Sequence, residues 1–385
     1  MPAGVRTTYT NTLTQKRVVT DMIDIMEPMD VPLLHALGYG SANVKKFRLV
    51  NFPGTMYEWL EDLTSAKNTD AIANVTNFTN DTTYTALAVA DGTKFQKGDV
   101  LEVPNGSGSG SELVWVSSIS TNTLTIVRAF GGTTAATHAS NATVYLRTRA
   151  RLEGADSSDS PTTNPTSAYN YTQIFHKDLK VTRSRQKVSQ YGIADEYNYQ
   201  LQKAMDELAV LLNNVAYYGY RAAGSASTAR AAGGFHQFIS TNLTSLSNSP
   251  ALTQKNIEDA IEDCWDNGGK PDMIVCGAWA QKKIRDFYAP HVRTERDDTR
   301  GGITIDRILV PPVGWLELLS DRNCPSTKLY ILEKNRVGWI PYDEFFEETL
   351  SKTGDSRNGE VIGEYGFVVK QEKAHAIISG FSTSK

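Results

Sequence analysis

Ile193, Tyr197, Leu201, Met205, Leu208, Leu212, Val215 and Tyr218 recur at steps of three or four residues, and the run closes near Gly224. Apolar side chains at that spacing share one face of an α-helix. About 28 residues at 1.5 Å each predict a rod of roughly 42 Å, long enough to span most of a small domain. Ile193, Leu201, Leu208 and Leu212 are its expected buried face.

Beyond the rod, the chain alternates between helix and strand. Ile257, Ala260, Ile261, Cys264 and Trp265 mark an amphipathic helix stopped by Gly268 and Gly269; Asp272 to Cys276 reads as a buried strand and Trp279 to Tyr288 as a second helix. Strands are expected at Ile303 to Val310, Trp315 to Leu319, Leu329 to Leu332 and Val337 to Ile340. His291 to Gly302 is dense in charge and empty of apolar anchors, which predicts a mobile loop. Val361 to Phe381 reads as two β runs around Lys370 to Lys373, returning beneath the rod.

Ahead of the rod, two alternating segments carry opposite charge. Phe47 to Leu63 bears Glu58, Glu61 and Asp62; Tyr169 to Val188 bears Lys177, Lys180, Arg183, Arg185 and Lys187. Acidic outward and basic on the return suits a long hairpin over 47–188, each cross-strand pair giving roughly 0.2 to 1 kcal/mol. The same charges suit pairing with a neighbouring subunit. Between them, over 82–149, five short β runs separated by Gly- and Asn-rich turns predict a small barrel or sandwich, flanked by linkers at Thr64 to Asn80 and Ala155 to Ser167. Residues 1–46 open with a Thr- and Asn-rich arm and continue to an apolar patch at Val31, Leu33, Leu34 and Leu37, punctuated by Pro28 and Pro32.

With 39 Lys and Arg against 43 Asp and Glu, the formal charge is −4, which argues against a dedicated nucleic-acid binder and predicts only weak, non-specific contact with DNA. Three scattered cysteines make no disulfide framework, and no window is apolar enough for a membrane span. Synthesis in a reducing cytoplasm is expected.

Chemistry-bearing patterns are sparse. Asp21, Asp24, Glu27 and Asp30 recur every third residue, the pattern of a solvated helix face more than of a metal site. The six histidines show no zinc-helix spacing, and no phosphate cradle or nucleophile elbow is present. Cys276, between a strand and a helix, lacks a basic partner close in sequence and reads as a buried small hydrophobe. No catalytic, metal or cofactor site is expected.

The order of arm, long hairpin, rod, α/β unit and returning strands resembles the major capsid proteins of tailed phages, the Hong Kong 97 fold. Asn170 to Asn214 is similar to the E-loop return and spine helix of the SU10-like group with an enlarged E-loop. Lys97 to Val103 and Asn122 to Leu146 are similar to a β module recurring in phage structural proteins.

The resemblance implies an α+β fold with an N-terminal arm (1–46), an E-loop hairpin (47–188) holding the inserted β domain (82–149), a P-domain with the spine helix (189–250), an A-domain (251–345) and returning P-domain strands (346–385). It further implies a non-enzymatic virion protein assembling with itself into pentamers and hexamers around double-stranded DNA, with scaffolding, decoration and portal proteins as further partners. A β-rich tail or adhesion protein is the alternative, disfavoured by the rod and the α/β region. A metal-dependent hydrolase using the N-terminal carboxylates ranks lower still.

Overall fold

A computed structural model describes residues 30–38, 54–62, 69–72, 83–104, 111–138, 141–155, 164–188, 193–247, 251–289, 292–297, 303–352 and 354–383. The arm expected over 1–14 and the carboxylates Asp21, Asp24 and Glu27 lie outside these. Pro32 opens a short helix, α1 (Pro32–Ala36), that buries Leu33 and Leu34 completely. β1 (Met56–Glu61) pairs with β8 (Thr166–Tyr171) as a two-stranded sheet. Leu60–Ser167 forms one compact unit, and the rest of the described chain another.

The Leu60–Ser167 unit contains β2 (Thr69–Ala71), β3 (Ala86–Ala88), β4 (Asp99–Pro104), β5 (Ser111–Ser120), β6 (Thr123–Val127) and β7 (Thr143–Arg149). They form an antiparallel sheet in the order β2-β7-β4-β5-β6-β3, and a bridge between Ile72 and Val89 joins the ends of its two outermost strands. Strand alternation sends Leu101, Val103, Val114, Val116, Leu124, Ile126 and Val144 into one core. β2 corrects the sequence reading: it arises inside the stretch taken as linker, where three residues are too few to show a period of two.

The same unit buries a charged hub. Glu112 accepts from the Arg128 side chain, from the backbone N–H of Ala129 and Ala136, and faces Nε2 of His138 at 2.9 Å. Burial alone raises the carboxyl, but the hydrogen bonds from His138, Arg128 and the two backbone groups outweigh it and hold Glu112 at about 2.

In the other unit, β9 (Gln173–Thr182) leads through a one-turn helix, α2 (Arg183–Lys187), to the rod, α3 (Glu196–Tyr218). Asp195 caps α3 by accepting from Tyr197 N at 2.9 Å, so the helix starts after Ile193, and Gly219 ends it. Its 23 residues make a rod of roughly 35 Å, shorter than the apolar periodicity suggested.

The chain continues through α4 (Phe235–Phe238), β10 (Leu243–Ser245), α5 (Gln254–Asp266), β11 (Met273–Cys276), α6 (Ala278–Phe287), β12 (Val292–Asp297), β13 (Ile303–Val310), β14 (Gly314–Ser320), β15 (Lys328–Leu332), β16 (Val337–Leu350), β17 (Ser356–Val369) and β18 (Ala376–Ser379). Thr253 and Asn256 open α5 with a reciprocal capping box.

Two sheets organise this unit. The smaller is antiparallel, β16-β17-β9; the larger is mixed, β10-β18-β15-β11-β14-β13-β12. Central strands of the larger sheet are buried on both faces. Met273, Val275, Tyr330, Leu332 and Ile377 face the core shared with α3 and the smaller sheet, whereas Ile274, Cys276, Leu329, Ile331 and Ile378 face the core beneath α5 and α6.

Three expectations are corrected here. The charge-dense stretch after His291 contains β12, paired along its length with β13: backbone pairing does not require apolar side chains. Only β17 returns beneath α3, because β18 inserts between β10 and β15 of the larger sheet. β16 crosses residue 345, the expected A-domain boundary, as one strand, although its pairing with β17 shifts register between Pro341 and Asp343 and again between Asp343 and Phe346.

Candidate assembly surface

β9 alternates buried Phe175, Leu179 and Val181 with exposed polar residues, as a strand covered on one face must. The buried set packs against α3, where Tyr197, Ala204, Leu208 and Leu212 are buried and Leu201 and Met205 are partly so. Leu208 and Leu212 therefore lie in the core and Leu201 at its margin, while Ile193 is half-buried ahead of the cap. Tyr218 and Trp265, read from periodicity as core-facing, are exposed. Each sits in the last turn of its helix beside a buried neighbour, Tyr217 and Cys264 respectively.

The basic strand β9 is not the ladder partner of β1, which carries Glu58 and Glu61 and pairs with β8. β9 pairs with β17, with Lys177 opposite Val361 and Lys180 opposite Asn358, whereas the three acids lie on β1 or just past it. The expected long hairpin splits at Thr172, whose N–H donates to Thr55 O at 3.0 Å; beyond it the return strand joins a different sheet. The outward strand's Phe47 to Pro53 lie outside the described residues.

Instead, the cations find acids that sequence reading did not single out. Lys177 pairs with Glu207 and Arg185 with Glu196, both on α3, and Arg183 Nε lies 2.8 Å from Asp355. These pairs are largely exposed and each is worth about 1 kcal/mol or less. Glu207 lies one helical turn after Lys203, so the α3 face above β9 is itself mixed in sign.

Between β9 and α3 lies an open groove of about 640 Å³. Six consecutive β9 residues, Lys177 to Thr182, line it. A single face of a strand contributes only alternate residues, so the groove borders the strand's edge. Lys203, Gln200, Glu196 and Glu207 of α3 form the facing wall, and Arg185 closes one end. Among the described residues no strand lies on that side of β9.

Across the sheet, Tyr197 is the tie between α3 and the far strand. Its hydroxyl donates to Glu347 at 2.8 Å, and the Arg357 guanidinium stacks 3.6 Å from its ring centroid. Burial first, then the Glu347 carboxylate, pushes the phenol up from its ordinary value. Gly359 lies directly below; a Cβ there would overlap the Tyr197 hydroxyl.

A second buried tie joins α3 to the larger sheet. Asp321, after β14, accepts from Tyr217 Oη at 2.7 Å and Asn213 Nδ2 at 2.8 Å. Sequence reading missed this cluster, although Asn213 interrupting the apolar face of α3 was the available signal.

Burial pushes the Cys276 thiol up to about 12, the reverse of an activated thiolate. Among the described residues no group of three or more His, Cys, Asp or Glu is placed to hold a metal, and no helix is long and apolar enough to cross a membrane.

A long helix lies on a three-stranded sheet, backed by a two-sided mixed sheet. The family model of the SU10 major capsid protein matches residues 4–382. The chain belongs to the SU10 major capsid protein family.

Solved capsids share the fold of this major capsid protein. The cyanophage A-1(L) capsid is 13% identical with a TM-score of 0.53, over 98% of this chain and 99% of that one. The capsid of an empty GTA particle is 10% identical with a TM-score of 0.51, over 98% and 100%. No curated protein matches the sequence. The SU10-type protein is thus a phage head shell protein, a virion component.

Proposed function

We propose that this capsid protein closes into pentamers and hexamers that tile a shell around double-stranded DNA. The observation that carries this is the family match over residues 4–382. Many modest contacts between identical copies suit such a shell better than one tight cleft, because symmetry repeats each contact. Exposed ion pairs and an open groove along β9 are surfaces of that kind.

A net charge of −4 suits a container that must hold and release DNA, since a strongly cationic lining would add salt-dependent affinity for each neutralised phosphate. DNA contact is weak and non-specific on this reading. The Leu60–Ser167 unit is the module inserted in the E-loop, its sheet closing on itself at Ile72 and Val89 as a small barrel. Scaffolding, decoration and portal proteins are the remaining partners. The protein performs no chemistry.

Electron microscopy of the purified protein tests the proposal. Closed shells with five- and six-fold units are expected; slender trimers or single-copy globules overturn it.

A further inference from the structure

The smaller sheet ends in two strands of opposite character. β16 carries Asp343, Glu344, Glu347 and Glu348 and no basic residue; β9 and α2 carry Lys177, Lys180, Arg183, Arg185 and Lys187 against one acid, Asp178. Both strands are sheet edges among the described residues.

Some of this charge is used at home: Lys177, Arg183 and Arg185 have acid partners, and Glu347 accepts from Tyr197. Lys180, Lys187 and Lys203 make no ion pair among the described residues, and neither do Glu344 and Glu348. β17 keeps the two sets apart, since β9 and β16 flank it at a separation of about 10 Å. Glu348 also lies directly opposite Glu360, which lies opposite Asp178. Like charges side by side on one sheet face are unfavourable until a cation arrives.

Resting on the shell reading above, we infer that the exposed acidic half of β16 docks against the basic β9 edge and its groove in another copy of this chain, Glu344 and Glu348 meeting Lys180 and Lys203. The bond is heterologous. Acidic edge against acidic edge and basic against basic both repel, so two-fold pairing through these edges is disfavoured. Head-to-tail contact remains, the kind that closes rings.

The test uses the full chain. Glu344→Lys with Glu348→Lys reverses one edge, Lys180→Glu with Lys203→Glu the other, and a four-residue variant exchanges both. Each two-residue reversal is expected to lower shell yield by about tenfold or more, because like charges then meet, with the circular dichroism and thermal midpoint of the unassembled subunit unchanged. The four-residue variant recovers assembly.

As a geometric check, Glu348→Cys and Lys180→Cys mixed as two single variants form an oxidised cross-link that neither forms alone; the three native cysteines are buried. Normal yield from either reversal, or no recovery in the four-residue variant, overturns the inference while leaving the shell reading standing. A wild type that forms no shells overturns the shell reading itself, and the docking with it.

Discussion

The Tyr217 hydroxyl donates to Asp321 Oδ2 at 2.7 Å inside a fully buried pocket. That bond ties the last turns of the long helix to the loop after β14. Burial, then the neighbouring carboxylate, pushes the phenol well up from its ordinary value, so it stays a donor at any working pH. Tyr217→Phe removes one donor from a buried carboxylate and is expected to cost about 1 to 3 kcal/mol. Asp321→Ala costs more, since Asn213 and Tyr217 both lose their acceptor. Urea unfolding of the unassembled subunit measures both; equal stability of Tyr217→Phe and wild type would show that the bond contributes nothing net.

The buried face of the helix is graded. Leu208→Ala and Leu212→Ala each open a cavity in the main core and are expected to cost about 2 to 5 kcal/mol. Ile193→Ala, at a half-buried position ahead of the Asp195 cap, is expected to cost about 1 kcal/mol or less. Thermal melts should place the two leucine variants well below Ile193→Ala.

Burial pushes the His375 imidazole down to about 4. Its Nδ1 accepts from Glu333 N at 3.1 Å and its Nε2 lies 3.2 Å from Lys370 O, an arrangement that suits the neutral ring. The unfolded chain takes up this proton near the ordinary value of about 6.5. The group's stabilisation is therefore complete above about 6.5 and falls by about 3 kcal/mol as pH drops toward the folded value. His375→Gln should flatten the stability profile between pH 6.5 and 4; an unchanged slope would place the titration elsewhere.

Glu112 behaves at lower pH. Its carboxyl lies at about 2, so its contribution is complete above the ordinary carboxyl value and is lost only as pH falls toward 2. Glu112→Gln leaves Arg128 and His138 buried around a neutral group. Hydrogen exchange should quicken over residues 111–138 in that variant while β9, β17 and α3 keep their protection; uniform quickening of the whole chain would mean that the two units do not open independently.

Much of the fold was legible because its elements announce themselves locally. The helix shows in Leu201, Leu208 and Leu212, and Ile303 to Val310 is a strand over the span that its residues predict. What stayed hidden depends on distant partners. Nothing near Asp272 or Ala376 says that β11 and β18 lie in one sheet, and nothing in Lys177 says that Glu207 takes its charge. The short β10 pairs in parallel with β18 across more than a hundred residues, and three residues carry no period from which to read it. For the candidate surface, the basic residues of β9 were visible as a set, but their partners were misassigned because charge order along a chain does not reveal which strand turns away at Thr172.

The position of β18 governs when a copy becomes usable. β17 is the middle strand of one sheet and β18 an inner strand of the other, yet both are made after every other described strand. On the ribosome a nascent chain holds two unfinished sheets until β17 emerges, and the larger sheet stays unfinished until residues beyond Ala376 follow. A copy terminated before Ser356 lacks β17, the strand that holds β16 beside β9, and so cannot present the paired edges through which neighbours would recruit it.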